Sequence, residues 1–468
     1  MAGATSPDAP LVVGIGGTIG GVSSTERALG IALDAVAKEG FRTRLFGGEE
    51  ADKRIAAAVR AALGQTKGPL MKVAQMLATV PDFLPPEYAE ELSTLQAHAP
   101  SMGPSFVERR MRVELGPEWR SRFREFEPKA AAAASLGQVH RAVGVDGHDL
   151  ACKLQYPEMA SAVESDLVQL NAILALVKSM NRIIDPSEIG AEIAERLREE
   201  LDYEREAKAV ALYNRMLADM ADVRVPQALP ELSSKRLLTM TWLSGQPLSR
   251  FESAPQETRN HIARLLFHAW WDPMHHYGVI HGDPHLGNYS FSEDGRTLNL
   301  LDFGCIRIFP AEFVAGVLKL REALMRDDRE ACVQAYRDWG FGGDLKPELV
   351  DALNVWARFI YGPIMDDRVR SVADGVKPGQ YGRREAFSVK QMLVEHGPVI
   401  IPREFVFMDR AAIGLGSAFL RLGAELNFFR LFEESIAEFS TAKVECRQRE
   451  ALQAVHLEPG AAAAAIAS

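Results

Sequence analysis

The chain has 468 residues, of which 47% are hydrophobic and 25% are charged. These are ordinary globular proportions, and the length predicts roughly two to four domains or lobes. The net charge of -10 argues against nucleic acid as a partner, because a phosphate backbone requires a broad basic surface.

The four cysteines indicate neither a disulfide framework nor a zinc site. They form no C-x-x-C pair and lie in segments with core or helical patterns: Cys152, Cys305, Cys332 and Cys446. Residues 1–10 lack the basic and then apolar pattern of a secretion signal. The sequence therefore predicts a cytoplasmic protein.

The first 48 residues predict a separate β-α-β unit. LVVGIGGT and FRTRLF have strand patterns, and SSTERALGIALDAVAKEG between them predicts a capped helix ending at Gly40. Residues 11–50 resemble the start of a flavodoxin-like NADPH-dependent FMN reductase. One such unit cannot bury a parallel sheet on both faces. We interpret residues 1–48 as an incomplete appendage.

Residues 49–126 predict a helical extension. The pattern is amphipathic, and Pro85 and Pro86 begin a helix that contains EYAEELSTLQ. Helices are expected to continue to Phe126. The basic run ERRMRVELGPEWRSRFREF is interleaved with acids, which indicates a solvated helix face.

Residues 127–243 predict a small lobe. ASLGQVHRAV and DLACKLQ read as two strands joined at GVDGH. A helical stretch follows from Met159 to Met220, interrupted near Asp185, and RLLTMTWL reads as a strand. Lys153 interrupts the apolar strand LACKLQY, where a lysine that faces a cleft can reach nucleotide phosphates.

Residues 244–456 predict a mainly helical lobe. A helix is expected from Gln256 to His276, short strands around HGDPHLGN and LNLLDFG, and helices from Ala311 to His456. Residues 457–468 are predicted to be a disordered tail. The predicted fold class is α+β, a protein-kinase-like two-lobed fold with a helical N-terminal extension. A cleft between lobes is a natural nucleotide site.

The two loops HGDPHLGN and LNLLDFG carry the strongest chemical signal. Asp283 is followed five residues later by Asn288, and Asp302 ends an apolar run within Asp-Phe-Gly. In phosphoryl transfer an aspartate handles the nucleophile while an Asn and a second Asp hold magnesium. Turns collect these residue types in any case. The order of strand lysine, helix glutamate, linking strand and both loops nevertheless matches protein kinases, which predicts ATP and Mg²⁺ as cofactors.

No glycine-rich loop precedes the lysine strand. KAAAAASLGQVHRA stands there instead, although glycine best allows backbone amides to approach phosphates. In isolation the alanines would indicate a low-complexity helix. Their position beside the lysine strand favours a nucleotide-binding loop. The residues predicted to line the nucleotide are Ala131, Ala132, Ala133, Ala134, Ser135, Lys153, Met240, Thr241 and Leu243.

These motifs together resemble the UbiB/AarF atypical kinase-like proteins linked to ubiquinone biosynthesis, from about residue 50 to 440. AAAASLGQVHRA is similar to the family's alanine-rich loop, LACKLQYP to its lysine strand and EELDYEREA to its E-x-D helix. The resemblance implies Glu200 as the partner of Lys153, Asp202 as the second acid of the motif and Glu206 as a further family acid. Leu286 replaces a proline often found in the catalytic loop.

The family also has a K-x-G-Q motif in a helical extension over the active site. LMKVAQML matches it through Lys72 and Gln75, with Ala74 at the usual glycine. The resemblance implies an ATP-binding, magnesium-dependent ATPase. Phosphorylation of other proteins is not expected, because the extension would obstruct a peptide substrate. A lipid or quinone-precursor ligand and a location at the inner face of a membrane are further expectations.

Two other functions stay open on the sequence. HGDPHLGN is also similar to the loop of small-molecule phosphotransferases of the aminoglycoside or choline kinase type, and a nucleotide-binding scaffold is the third reading. Membrane contact is expected to be peripheral at most. Its candidate residues, which we instead expect in the core, are Phe405, Phe407, Phe419, Leu420, Phe428 and Phe429.

Overall fold

The computed structural model describes residues 102–458, apart from a few single positions and two longer stretches. The positions left out are Ser135, Glu158, Asp166, Gly343, Asp344 and most of 169–196 and 374–401. The chain divides into two compact units, Met1–Thr66 and Lys67–Ser468, and all described residues belong to the second. The predicted appendage at residues 1–48, Lys72 and Gln75 lie outside the described residues.

The described strands and helices are numbered in chain order. The strands are β1 (Phe123–Phe126), β2 (Ala132–Ala134), β3 (Gly137–Gly144), β4 (Asp149–Gln155), β5 (Val223–Arg224), β6 (Leu237–Thr241), β7 (Val279–His281), β8 (Tyr289–Phe291), β9 (Leu298–Leu300) and β10 (Ile306–Ile308). The helices described with both ends are α1 (Pro104–Leu115), α2 (Tyr203–Met216), α3 (Gln256–Tyr277), α4 (Ala311–Met325), α5 (Arg329–Asp338), α6 (Pro347–Tyr361), α7 (Arg403–Leu422), α8 (Phe428–Ile436) and α9 (Thr441–Ala454).

The small lobe is an antiparallel sheet with strand order β1-β3-β4-β6, and β2 pairs with β3. Helix α1 covers one face through Val107, Met111 and Leu115, which lie on one side of the helix at four-residue spacing. The other face packs against Tyr203 of α2. Because both faces are covered, β4 is buried along nearly its whole length.

The basic run at residues 108–126 is not the solvated helix face that its charges indicated. The helix ends at Leu115, and a short 3-10 turn leads into β1, which pairs with β3. Trp119 and Phe123 are buried and pack edge to face. The predicted helical extension therefore ends before Phe123, because these aromatic residues anchor an edge strand of the sheet.

Helix α2 begins at a break that the sequence interpretation missed. A single helical stretch was expected from 159 to 220, but Leu201 and Asp202 are not helical and α2 starts at Tyr203. The Asp202 side chain accepts a hydrogen bond from the Arg205 N–H at 2.9 Å, which is the ordinary bond of an N-cap. The break sets which side chains of α2 point at the sheet.

The large lobe is mainly helical, as predicted, and is built around α3. Its core includes Trp270 of α3 together with residues of α2 and of most later helices. Phe405, Phe419 and Phe428 lie in this core, so the core interpretation of these positions is confirmed. Leu457 is also buried, so the prediction that residue 457 belongs to a disordered tail is wrong. Among the described residues, none of the helices combines the length and apolar character needed to span a bilayer.

Candidate active site

Lys153 is a buried lysine in the middle of the small-lobe sheet. It lies on β4 between Val139 of β3 and Leu238 of β6, and only 10% of its side chain is exposed. An ammonium group removed from water in this way is costly unless it is paired and hydrogen-bonded. The surroundings of its Nζ atom therefore define the site.

Two carboxylates meet at the Lys153 ammonium. Nζ donates to both oxygens of Glu206, at 2.7 and 2.9 Å, and to Oδ2 of Asp302 at 2.9 Å. The Tyr203 ring lies 5.3 Å from Nζ, within the range of a cation-π contact. The lysine thus connects β4, α2 and the Asp-Phe-Gly loop at one point.

The assignment of Glu200 as the partner of Lys153 is wrong, because the carboxylate that contacts Nζ is Glu206. Glu206 belongs to the stripe of α2 that carries Tyr203 and Val210, and all three are buried. Glu200 precedes the break at Asp202 and is half-buried. A single carboxylate within an otherwise apolar stripe is the signal that could have identified Glu206.

The electrostatics of the three groups are interdependent. Burial alone would lower the pKa of Lys153, but Asp302 and Glu206 raise it well above its ordinary value. Burial raises the pKa of Glu206 to about 7, against the opposing effect of Lys153. Asp302 has a lowered pKa, because the Lys153 ammonium and the Gly304 N–H outweigh the effect of burial. The lysine therefore stays charged, and Asp302 is the more acidic carboxyl.

The catalytic-motif loop begins at the end of β7 and places Asp283 and Asn288 together. Asn288 Nδ2 donates to the Asp283 carbonyl oxygen at 3.1 Å, so the amide oxygen Oδ1 points elsewhere. The Asn288 carbonyl in turn accepts from the Leu301 N–H at 2.8 Å. These bonds connect the loop to the strand that leads into Asp302.

His281 is a site residue that the sequence interpretation did not single out. Its Nδ1 accepts a hydrogen bond from the Asp283 N–H at 3.3 Å, and its Nε2 contacts the Asp302 carbonyl oxygen. Because a carbonyl only accepts, Nε2 must carry the proton. The buried ring thus connects the backbones of the two acidic loops. Its position as the first residue of the HGD sequence was the available signal.

Close packing also fixes Pro284 in the same loop. A side chain at Gly414 of α7 would overlap Cβ and Cγ of Pro284, and one at Gly282 would lie 3.0 Å from the Cys305 carbonyl oxygen. The Gly282 N–H donates to that carbonyl at 2.6 Å. The loop is therefore held between α7 and β10 with no spare volume.

The oxygen donors suit a hard divalent cation. Asp302 contributes a carboxylate whose side chain is 39% exposed, beside a lysine that is only 10% exposed, so it faces the open side of the site. Asn288 contributes an amide oxygen. Among the described residues, no cluster of three or more His, Cys, Asp and Glu side chains could hold a metal ion. Mg²⁺ commonly takes one or two protein ligands together with phosphate oxygens and water, and the pair Asn288 and Asp302 fits that preference.

The alanine segment forms a hairpin rather than a helix. Ala132, Ala133 and Ala134 pair with Val139, Gln138 and Gly137 of β3. Ala131, Ala132 and Ala133 are exposed, and the backbone of Ala131 is fixed by its N–H bond to the Val139 carbonyl at 2.8 Å. Ser135, which follows Ala134 in the sequence, lies outside the described residues.

The predicted linking strand lies at the opposite edge of the sheet from β1. Met240 and Thr241 pair with Ala151 and Leu150 of β4, and Leu243 follows the strand as a half-buried residue. Asp202 caps α2, and its described hydrogen bond is local. Lys72 and Gln75 keep their predicted role as expectations.

The small lobe is an antiparallel sheet whose lysine is held by a helix glutamate, and D-x-x-x-x-N and Asp-Phe-Gly loops follow in a helical lobe. This combination defines a protein-kinase-like fold. The model of the ABC1 atypical kinase-like domain matches residues 94–336, just over half of the chain. The chain belongs to this family, the UbiB/AarF family of the sequence interpretation.

Known relatives agree with this assignment. The chain is 27% identical over 429 residues to the mitochondrial atypical kinase coq-8 of Caenorhabditis elegans, covering 89% of this chain and 55% of the relative. It is 28% identical to AarF domain-containing protein kinase 1 of Xenopus tropicalis, over 73% of this chain and 65% of the relative. The chain thus spans between half and two thirds of these relatives.

A solved structure has the same fold. The chain has 26% sequence identity to the protein in the complex of Rv3197 with erythromycin from Mycobacterium tuberculosis, and the two structures superpose with a TM-score of 0.57. The match covers 83% of this chain and 98% of the solved chain.

Proposed function

We propose that this protein binds ATP with magnesium and hydrolyses it, and that it supports isoprenoid-quinone or lipid metabolism. The observation that carries the proposal is the contact of Lys153 with Glu206 and Asp302, next to the loop of Asp283 and Asn288. This is the set of groups that phosphoryl transfer uses for positioning and charge stabilisation. The similarity to coq-8 supports the metabolic setting.

Each residue has a role that its position supports. Lys153, oriented by Glu206, would contact phosphate oxygens, as the strand lysine of a kinase does. Asn288 and Asp302 would hold magnesium, which neutralises charge that develops on the phosphate oxygens. Asp283 would accept a hydrogen bond from the attacking water. Hydrolysis adds the water oxygen to the terminal phosphorus, breaks the bond to its bridging oxygen and releases ADP and phosphate.

The alanine hairpin would make limited contact with the phosphates of the nucleotide. Its described backbone N–H at Ala131 already donates to Val139. Non-glycine residues also resist positive φ, which costs an alanine roughly 1 kcal/mol or more. The hairpin would consequently cover the nucleotide with side-chain methyl groups and contribute fewer backbone amides than a glycine-rich loop.

The test is release of phosphate from ATP by the purified chain, with magnesium or with chelator. The parent should hydrolyse ATP only with magnesium, and Asp302→Asn should lose about 100-fold or more of the rate, because a metal ion supplies several kcal/mol of transition-state charge stabilisation. Asp294→Asn is the matched control, because Asp294 is an exposed aspartate in the turn between β8 and β9. Magnesium-independent hydrolysis, or equal rates for the two variants, would refute the proposal.

Candidate acceptors separate the remaining alternatives. Aminoglycosides, choline and quinone-precursor phenols should not increase phosphate transfer to an organic product, whereas vesicles that contain anionic lipid should leave the product as free phosphate. A phosphorylated acceptor would move the protein to the small-molecule phosphotransferases. Nucleotide binding without turnover under any condition would make it a scaffold.

A further inference from the structure

Two fully buried polar side chains on β3 form a chain of hydrogen bonds beside the alanine hairpin. Gln138 and His140 are each 0% exposed. The Met102 N–H donates to Gln138 Oε1 at 2.7 Å, and Gln138 Nε2 lies 2.8 Å from His140 Nε2. His140 Nδ1 lies 2.9 Å from the carbonyl oxygen of Glu127. We call these bonds the β3 relay.

The direction of the β3 relay is fixed at both ends. The Glu127 carbonyl can only accept, so the proton of the His140 ring must be on Nδ1 and Nε2 must accept from the Gln138 amide. The amide oxygen is then turned towards Met102, whose N–H can only donate. Burial lowers the pKa of His140, against the smaller effect of the Glu127 carbonyl, and so favours the neutral ring that this arrangement requires.

Each bond therefore depends on the others. If the Gln138 amide rotated, its NH₂ group would face the Met102 N–H and its oxygen would face the His140 lone pair. Two donors would then meet at one end and two acceptors at the other, and both ends would leave buried polar groups unsatisfied. The relay consequently has one favourable arrangement of donors and acceptors.

The two ends of the relay lie at different places in the small lobe. Met102 lies directly before Gly103, the N-cap residue of α1. Glu127 connects β1 to the alanine hairpin, and its N–H also donates to the Arg141 carbonyl at 2.9 Å. Gln138 itself is the register partner of Ala133. The relay thus joins the chain at Met102 to the backbone that carries the alanines.

We infer that Gln138 and His140 are positioning residues that couple the backbone at Met102 to the alanine hairpin, so that nucleotide binding at the hairpin and the placement of Met102 depend on each other. Such coupling is reciprocal, because each site must shift the other by the same factor. The inference rests on the proposed function, since it requires a nucleotide against the hairpin.

Residue-resolved hydrogen exchange tests the coupling. In the parent, saturating ATP with magnesium should slow exchange at Ala131 to Ala134 and also at the Met102 amide, whose described acceptor is Gln138 Oε1. In Gln138→Leu the nucleotide should still slow exchange at the alanines but no longer at Met102. The measured quantity is the difference between the bound and free forms of one variant, which a general loss of stability does not produce.

A second variant and a matched control keep the test decisive. His140→Phe preserves a flat ring that can stack on Phe126, whose ring centre lies 5.3 Å from that of His140, and removes only the hydrogen bonds. It should also abolish the response at Met102. Thr239→Val is the control, because Thr239 is equally buried in the same sheet and the substitution removes its hydroxyl contacts with the Leu232 carbonyl and Cys152 Sγ. It should keep the response.

The outcomes separate a failure of the coupling from a failure of the proposed function. If nucleotide slows hydrogen exchange at the alanines of the parent but not at Met102, the coupling is overturned and nucleotide binding still stands. A response at Met102 that survives in both relay variants, or disappears in Thr239→Val, overturns it as well. The absence of any nucleotide effect in the parent, together with no binding by calorimetry, rejects the proposed function and the coupling together.

Discussion

Both oxygens of the Glu206 carboxylate accept hydrogen bonds from the Lys153 ammonium, at 2.7 and 2.9 Å. Lys153 belongs to the small-lobe sheet, whereas α2, which carries Glu206, also packs into the core of the large lobe through Val210 and Tyr213. The ion pair therefore ties the small-lobe sheet to a helix that also packs in the core of the large lobe. It sets the position of the ammonium relative to Asp302, 2.9 Å away.

The first prediction separates Glu206 from Glu200. Glu206→Gln should weaken nucleotide binding and lower the free energy of unfolding by about 1 to 3 kcal/mol, the usual range for a bond to a charged group. The loss stays moderate because Asp302 still pairs with Lys153. Glu200→Gln leaves the bonds of the Lys153 ammonium to Glu206 and Asp302 in place and should weaken ATP binding less. Calorimetric titration with ATP and urea unfolding measure both quantities, and a larger effect at Glu200 would contradict the assignment.

The second prediction concerns His281, which connects the Asp283 N–H to the Asp302 carbonyl. His281→Phe should fill the same buried space yet release both loops, and we expect the ATPase rate to fall roughly 10- to 100-fold, as for groups that orient metal ligands. The magnesium concentration for half-maximal rate should rise.

His261→Phe is the matched control for this substitution. Its Nε2 bonds the Arg296 carbonyl at 3.0 Å, and this described bond involves neither Asp283 nor Asp302. The control should keep the parent's rate and magnesium dependence. If His281→Phe behaves like the control, the bridge between the loops has no functional role.

The local features of this site were predictable from sequence, and the long-range ones were not. The strands that carry Lys153, the helix from Gln256 and the two acidic loops follow from alternation, capping and turn residues. The choice between Glu200 and Glu206 depended on the break at Asp202, because one unrecognised N-cap changes which side chains face the sheet. A continuous helical pattern does not reveal that break.

Contacts between distant segments leave even weaker signals. Gly414 touches Pro284 and Gln138 bonds Met102, but a glycine in a helix or a glutamine in a strand fits many environments. The alanine run was ambiguous for a related reason, since alanine favours helices in isolation. Pairing with β3 overrides that preference and makes β2 a strand.

The third prediction tests the packing of α7 on the catalytic loop. Gly414→Ala places a methyl group against Cβ and Cγ of Pro284, so either the helix or the loop must shift. Overpacking of this kind costs about 1 to 3 kcal/mol, and because Pro284 follows Asp283 we expect kcat to fall more than ATP affinity.

Gly362→Ala is the control for Gly414→Ala, since a methyl group there meets nothing within 4 Å. Steady-state kinetics and thermal unfolding of the two variants give the comparison. Equal kcat values in both variants, together with a clear stability loss in Gly414→Ala alone, would mean that α7 supports the fold without positioning the loop.

The last prediction concerns Asp409, a carboxyl buried where α7 meets α6. Its Oδ2 accepts a hydrogen bond from Trp356 Nε1, and its Oδ1 has no partner among the described residues. Burial, opposed by the Trp356 bond, raises the pKa of Asp409 from 3.8 to about 8. The folded protein therefore holds a proton that the unfolded chain has released between these pH values. Because the folded state binds more protons, stability must fall as pH rises through this window, by at most about 1.4 kcal/mol per pH unit.

Asp409→Asn removes this titration while keeping an oxygen that can accept from Trp356. Urea unfolding from mildly acidic to alkaline pH should show the variant gaining stability relative to the parent as pH rises, with the gain levelling off above about pH 8. Asp294→Asn, at an exposed turn, should run parallel to the parent over the same range. If the curves of Asp409→Asn and the parent are parallel throughout, Asp409 is already ionised in the folded protein, and the site between α6 and α7 must supply a counter-charge to it.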